Sequence, residues 1–270
     1  MRLKIFYFLL LASAYSFSQY PPSQISNLYE ANINWKISDD FSTFDKNKWT
    51  YRRPDRIIGD SKKYVHIIDE SYVSISCDVN DKKGGGISGK HFARFGFYIT
   101  KFRIRGIEEN GEKSHTHPAI WAYRNNMGVD NKTAPIEGND WIEIDWVEYY
   151  AWSKQNCWDI DAPPNLNGKR YKELKSVMLE HNLKTTFGIW EVVGLEYHPN
   201  YLQAWEYVEG NWQKLGKKIP AGNEQTRDVM KKSCFQNVYW ILSNGYFGHK
   251  EGSEKNSWLD VDYFYHFPLK

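Results

Sequence analysis

Cysteine is scarce in this chain: Cys77, Cys157 and Cys234 are the only three among 270 residues. They can close at most one disulfide, so a disulfide-stapled scaffold is excluded, and no two are spaced as zinc ligands. Long apolar runs are missing too. The one apolar stretch, Ile5 to Tyr15, falls short of the roughly 20 residues that cross a bilayer. It follows Met1-Arg2-Leu3-Lys4 and precedes Ser16-Phe17-Ser18, an order that predicts a signal peptide over residues 1–18. No Cys follows it to carry a lipid anchor, so the mature protein is expected to be soluble, outside the cytoplasm and without a membrane partner. Neither sign of charge predominates, since 35 Lys and Arg stand against 33 Asp and Glu. With no dense basic stripe, nucleic acid is not an expected partner. GxGxxG, P-loop and zinc-ligand patterns are all absent.

Aromatic residues, by contrast, are abundant. They make up 17% of the chain, with 12 Trp and 19 Tyr, more than a core alone requires. Such rings fill the interior of large β-sandwiches, and they also stack on the apolar faces of sugars. Short alternating runs separated by turn residues recur from Trp35 onward, as in an all-β sandwich or barrel. Strands are expected near Tyr64–Ile68, Tyr72–Asp78, Gly96–Ile104, Pro118–Tyr123, Trp141–Tyr150, Thr185–Tyr197, Tyr201–Val208, Tyr239–Ser243 and Trp258–Phe267. Gly84-Gly85-Gly86 reads as a flexible loop or tight turn before a strand at Ile87. A long loop spans 151–183, with a short helix around 171–180. Residues 19–33 form a partly ordered lead-in, and 34–270 a single domain.

The most informative segment is Trp141-Ile142-Glu143-Ile144-Asp145-Trp146-Val147-Glu148-Tyr149-Tyr150. It sets three acids in an otherwise apolar and aromatic run, and burying charge without a partner is costly. Residues i and i+2 of a strand share a face, so Glu143 and Asp145 point one way and Glu148 the other. One extra residue at Trp146 or Val147, a β-bulge, brings Glu148 back to the side of its companions. The glutamate Cα atoms then lie about 13 Å apart, four steps of strand rise. Their side chains reach inward and leave the carboxyls about 5–6 Å apart, the spacing of a retaining glycosidase. On the run His117 to Tyr123 the odd positions share a face, which sets Trp121 with His117 and Tyr123.

Glu143-Ile144-Asp145-Trp146-Val147-Glu148 resembles the E-x-D-x-x-E signature of glycoside hydrolase family 16 in its bulged form. Further segments fall in that family's order: Asp40-Phe41-Ser42-Thr43-Phe44-Asp45 with Trp49, then Ser88-Gly89-Lys90 and Phe95-Gly96-Phe97-Tyr98. His117-Pro118-Ala119-Ile120-Trp121, Val193-Gly194-Leu195-Glu196-Tyr197-His198-Pro199 and Leu259-Asp260-Val261-Asp262-Tyr263-Phe264 complete the series. The match covers roughly residues 38–268. The resemblance implies a concanavalin-like jelly roll, two antiparallel sheets with an open cleft on the concave face. It implies Glu143 as nucleophile, Asp145 as its helper and Glu148 as acid/base in a secreted endo-acting hydrolase. No cofactor is required; the resemblance implies a structural calcium at Asp262, where a carboxylate equally suits a salt bridge or a turn bond.

Trp121 is expected to stack on the sugar beside the scissile bond. Trp141, Trp146, Trp152 and Trp190 are weaker platforms, each suiting core or rim more than a subsite, and His117 is placed either to bond a sugar hydroxyl or to serve as a satisfied structural histidine. Arg52 and Arg53, in a basic cluster with Arg56, Lys62 and Lys63, read first as a solvated loop and alternatively as a contact for the sulfate groups of an algal galactan. Glu191 and Ile99 stand where many relatives of the family carry His and Glu, and both departures bear on the cleft rather than on the acids. The expected partner is a polysaccharide (agarose, porphyran or carrageenan type, or a β-1,3-glucan), and the chain is expected to act as a monomer. A noncatalytic carbohydrate-binding sandwich and a polysaccharide lyase are the competing readings. The first has no need for three convergent acids, and the second lacks the Arg-x-Glu-x-Arg or Gln-x-His pattern its chemistry uses.

Overall fold

The computed structural model describes residues 18–107, 115–124, 142–150, 155–157, 165–166, 169–170, 187–220, 238–248 and 255–270. Its strands in chain order begin with β1 (Trp49–Tyr51), β2 (Val65–Ile68), β3 (Tyr72–Asp78), β4 (Lys83–Gly89), β5 (Gly96–Arg105), β6 (Thr116–Arg124) and β7 (Ile142–Tyr150). They continue with β8 (Gln155–Cys157), β9 (Asn165–Leu166), β10 (Lys169–Arg170), β11 (Glu191–His198), β12 (Tyr201–Val208), β13 (Asn211–Pro220), β14 (Tyr239–Tyr246) and β15 (Ser257–Pro268). One helical turn, α1 (Ser61–Tyr64), is capped by the Asp60 side chain, which accepts from the Lys62 amide. Lys62 and Lys63 of the basic cluster sit on this turn.

Two antiparallel layers form a jelly-roll sandwich. The front layer is ordered β4-β14-β6-β7-β8 with β1 beside β4, and the back layer β13-β12-β11-β5-β15-β3 with β2 beside β3. β4 belongs to both: Lys83 and Gly84 pair with β3, while Gly85 to Ser88 pair with β14. The core between the layers takes every second residue of each strand, as the pleat requires. Ile87, Ile120, Ala122, Ile144, Trp146, Trp240 and Leu242 come from the front, and Val73, Ile75, Tyr98, Phe102, Val193, Leu195, Leu259, Val261 and Phe264 from the back.

A second apolar cluster lies on the other side of the back layer, where Phe97, Ile99, Trp205, Tyr263, Tyr265 and Phe267 gather around Tyr29. Tyr29 arrives from the lead-in segment, which is laid firmly along β15. The Glu30 and Asn34 amides donate to the carbonyls of Pro268 and His266. Beneath it, the buried Glu196 carboxylate accepts from Tyr29 Oη at 3.1 Å, Tyr201 Oη at 2.9 Å and Trp205 Nε1 at 3.0 Å. Burial, then the neighbouring Glu196, raises both tyrosine pKa values. His266 is stacked on Tyr98 with ring centroids 4.4 Å apart. Burial pushes its pKa down to about 4.

The structure corrects several expectations. Gly84-Gly85-Gly86 is neither loop nor turn but the middle of β4, and its glycines serve close approach. A Cβ at Gly84 would lie 1.7 Å from the Asn244 carbonyl oxygen, and one at Gly85 2.6 Å from Tyr64 Cβ. β11 starts at Glu191 rather than near Thr185, because Gly188 takes a left-handed turn at φ 83°. β13 has no counterpart in the reading of the sequence. It is a lysine-rich edge strand, and charge at an edge hides the apolar alternation of a strand while discouraging aggregation. The helix expected over 171–180 and the signal peptide, apart from Ser18, lie outside the described residues.

Candidate active site

β7 is the front layer's acidic strand, and its pairing with β6 fixes where each acid points. Tyr123 lies opposite Glu143, Ala122 opposite Ile144 and Trp121 opposite Asp145; the register then jumps, setting Ile120 opposite Val147 and Ala119 opposite Glu148. Trp146 is therefore the extra residue, one of the two positions the spacing allowed. Burial follows the same break. Ile144, Trp146, Val147 and Tyr149 all enter the core, so two consecutive side chains, Trp146 and Val147, go inward. The Trp146 indole meets Trp240 edge-on at 5.5 Å and Phe264 at 6.3 Å. Asp145 and Glu148 are left together on the opposite face. The side chain of Glu143 lies outside the described residues; its backbone occupies the register position two before Asp145.

Glu148 is nearly enclosed, its side chain 12% exposed, and His117 Nε2 lies in hydrogen-bond contact with its Oε1. His117 comes from β6 two residues before Ala119, the register partner of Glu148, and its ring packs on Phe247 at 4.5 Å. Two roles are expected for His117, and its described contact is with a carboxylate of the protein.

Trp121 is half-buried on the acids' face. Its Nε1 donates to Ser243 Oγ at 3.1 Å, which pins the indole over β14. From it runs a line of rings: Tyr123 at 5.9 Å, then Tyr239 at 6.0 Å, then Phe92 at 6.1 Å, exposed to 49%. Tyr239 and Phe92 were not singled out from the sequence. The alternation Tyr239, Ile241, Ser243 on β14 was the signal that could have found the first.

Arg52 reaches the same platform, its guanidinium carbon 5.2 Å from the Trp121 ring centroid. Its backbone is fixed on both sides, the amide donating to Gly86 O at 2.8 Å and the carbonyl accepting from Ser61 Oγ at 2.9 Å. Asp55 Oδ2 accepts from its Nη2 at 3.2 Å. Gly86 makes room for it, since a Cβ there would stand 3.0 Å from Arg52 Cδ. Arg53 is exposed on the adjoining loop. Trp141 and Trp152 lie outside the described residues.

Asp262 is far from this constellation. It is the extra residue of a second bulge, in β15, between the pairs Val261–Phe102 and Tyr263–Lys101. Its Oδ2 accepts from Lys101 Nζ at 2.5 Å. An ammonium on that oxygen already supplies the cation, so these residues do not fit a calcium ion. Among the described residues no three His, Cys, Asp or Glu cluster as metal ligands. A cavity of about 550 Å³ beside Asp262, lined also by Asp40, Glu70, Tyr72, Arg103 and Trp190, opens on the back layer, away from the acids. No helix among the described residues is long and apolar enough to cross a membrane.

No protein family and no curated protein matches the chain. Solved structures do. A kappa-carrageenase from Pseudoalteromonas carrageenovora, in complex with an oligosaccharide of kappa-carrageenan, matches with a TM-score of 0.59 at 14% identity, over 88% of this chain and 95% of that one. SCLam, a non-specific endo-β-1,3(4)-glucanase of glycoside hydrolase family 16, matches with a TM-score of 0.59 at 15% identity over 90% and 93%. Rv0315 of Mycobacterium tuberculosis, described as an immunostimulatory antigen and pseudo β-1,3-glucanase, matches with a TM-score of 0.58 at 17% identity over 86% and 98%. The chain shares the jelly-roll fold of these three structures, along nearly the whole length of each.

Proposed function

We propose that the protein is a secreted, retaining endo-β-glycosidase that cuts a polysaccharide by double displacement. The observation that carries this reading is the extra residue at Trp146, which returns Glu148 to the side of Asp145. In the first step the Glu143 carboxylate attacks the anomeric carbon while Glu148 protonates the departing glycosidic oxygen. In the second, Glu148 takes a proton from water, whose oxygen displaces Glu143 from the sugar. Asp145 orients Glu143, and the charge of Glu143 favours the protonated form of Glu148. Trp121 carries the sugar beside the bond that breaks. Arg52, held against that platform, supports a sulfated galactan of the agarose, porphyran or carrageenan class, because a guanidinium fork matches an oxyanion.

The test is incubation with agarose, porphyran, carrageenan and laminarin, sizing the products and following anomeric configuration by NMR. Retained configuration and internal cuts on a galactan are expected, with Glu143→Gln and Glu148→Gln abolishing turnover while binding persists. Affinity without turnover in the unmutated protein would establish a binding sandwich instead, and cutting of laminarin alone would replace the galactan by a β-1,3-glucan.

A further inference from the structure

We propose that His117 is a positioning residue that shares a proton with Glu148 and so sets the pH at which the acid is available; this rests on the glycosidase reading above. The geometry begins with the strand pairing, which puts His117 on the same face as Glu148 and beyond its register partner Ala119. His117 Nε2 then meets Glu148 Oε1, and both groups are almost fully withdrawn from solvent. Phe247 closes one side of the imidazole, and the Phe247 amide donates to His115 O at 2.8 Å, tying that wall to the start of β6. Across β14 the facing position is Gly245, which carries no side chain to compete for the ring. Among the described residues, Asp145 shares the face of Glu148 on β7, His115 and Tyr246 are in ring contact beside the start of β6, and Cys157 is the register partner of Glu148 on β8.

A single proton can sit on this pair in two ways. With neutral His117 donating from Nε2 to Oε1, Glu148 keeps its own proton on Oε2 and is in its acid form. With the proton on the imidazole, Glu148 is an anion and cannot act as an acid. Both forms hold the same number of protons, so the pair loses its last proton at a higher pH than the carboxyl alone. During the first step the proton leaves Glu148 for the departing oxygen as the glycosidic bond breaks and the Glu143 ester forms. His117 keeps its own proton, and its bond to the new carboxylate strengthens because the acceptor is now charged. In the second step Glu148 regains a proton from water as the ester is cleaved.

Two measurements on the full chain test this. In NMR titrations of the histidine rings, the imidazole of His117 should titrate about one pH unit or more higher in the unmutated protein than in Glu148→Gln, because a carboxylate favours the imidazolium. Equal titration in the two proteins overturns the pairing. In kinetics, His117→Gln keeps a donor but no base, so the alkaline limb of kcat/KM should move to lower pH, and this variant should be more active than His117→Ala. An unmoved limb, or equal loss in both variants, reduces His117 to a packing residue. A chain inactive on every polysaccharide would remove the glycosidase reading, and the NMR titration would still decide whether the two side chains exchange a proton.

Discussion

Trp121 and Asp145 face each other across β6 and β7, the last matched pair before β7 takes its extra residue. Everything chemical on this face depends on that break. Up to Asp145 the acids follow ordinary alternation; past Trp146 they do so again, one residue out of phase. The side chain that absorbs the shift is a tryptophan, the largest of the fully buried ones, with no exposed surface.

Trp146 is accordingly expected to be costly to remove. Trp146→Ala should lower stability by about 3–5 kcal/mol, as deleting a buried indole does, measured by urea unfolding. Trp146→Phe keeps the residue count and should keep turnover at a smaller cost. Deleting residue 146 leaves Val147 opposite Ile120 and Glu148 opposite Ala119 with no break, so Glu148 stays on the face of Asp145, and the deletion should cost stability while some turnover remains; turnover lost with the fold intact would sink this register as the organising element.

Gly86→Ala tests whether Arg52 selects the substrate. The added methyl would meet Arg52 Cδ and Ser243 Cβ at 3.0 Å and the Leu242 carbonyl at 3.1 Å. The mobile arginine is the neighbour that can yield. Preference for sulfated over unsulfated galactan should fall by about tenfold, the loss of roughly one charge-assisted hydrogen bond. Arg52→Ala should match it, and Arg52→Lys should not restore it, since an ammonium lacks the planar fork. Ratios of kcat/KM on paired substrates measure the effect.

Glu196 should act as the latch of the N-terminal segment. Glu196→Ala strands two phenolic and one indole donor in a buried place, a loss of about 3 kcal/mol or more. Hydrogen exchange should then rise selectively in residues 20–34, ahead of global unfolding. Uniform exchange across the chain would show that the segment is held by its apolar contacts alone.

His266 should make the protein sensitive to acid. Its folded pKa, pushed down to about 4 by burial, lies below the unfolded value near 6.5. The unfolded chain therefore binds more protons between these values. Stability is full above about pH 6.5 and declines as pH falls toward 4, by about 3 kcal/mol from this group. In urea unfolding at a series of pH values, His266→Gln should flatten that part of the profile. The neutral tautomer has Nε2–H toward Phe95 O at 3.4 Å and Nδ1 accepting from Asn34 Nδ2 at 3.5 Å.

Much of the front layer was legible because charge inside an apolar run has few explanations. Glu143 to Glu148 stood out, and the parity argument restricted the bulge to two residues. The same pattern misleads at Leu259-Asp260-Val261-Asp262, where acids also alternate and a bulge also occurs. There the answer lies on β5, more than 150 residues away: Arg103 Nε and Arg105 Nε donate to Asp260 at 2.7 and 2.6 Å, and Lys101 takes Asp262. Such partners are set by strand order, which local spacing does not encode. The tie between His117 and Glu148 stands between these cases. The pairing of two neighbouring antiparallel strands would have disclosed it, but neither residue signals it alone. The triple glycine was misread for a related reason, since its meaning resides in what lies above each Cα.

The dual membership of β4 has a mechanical consequence. Bonded to both layers, it acts as the spine of a book whose covers are the two sheets, and Asn244 stitches the binding, donating from Nδ2 to Ile75 O at 3.2 Å and Ser257 O at 3.1 Å. The covers cannot slide past one another along that margin. Swelling of the interior must be taken up at the margins farthest from β4, at β8 and β13, so larger side chains in the middle should splay the fore-edge and leave the spine closed.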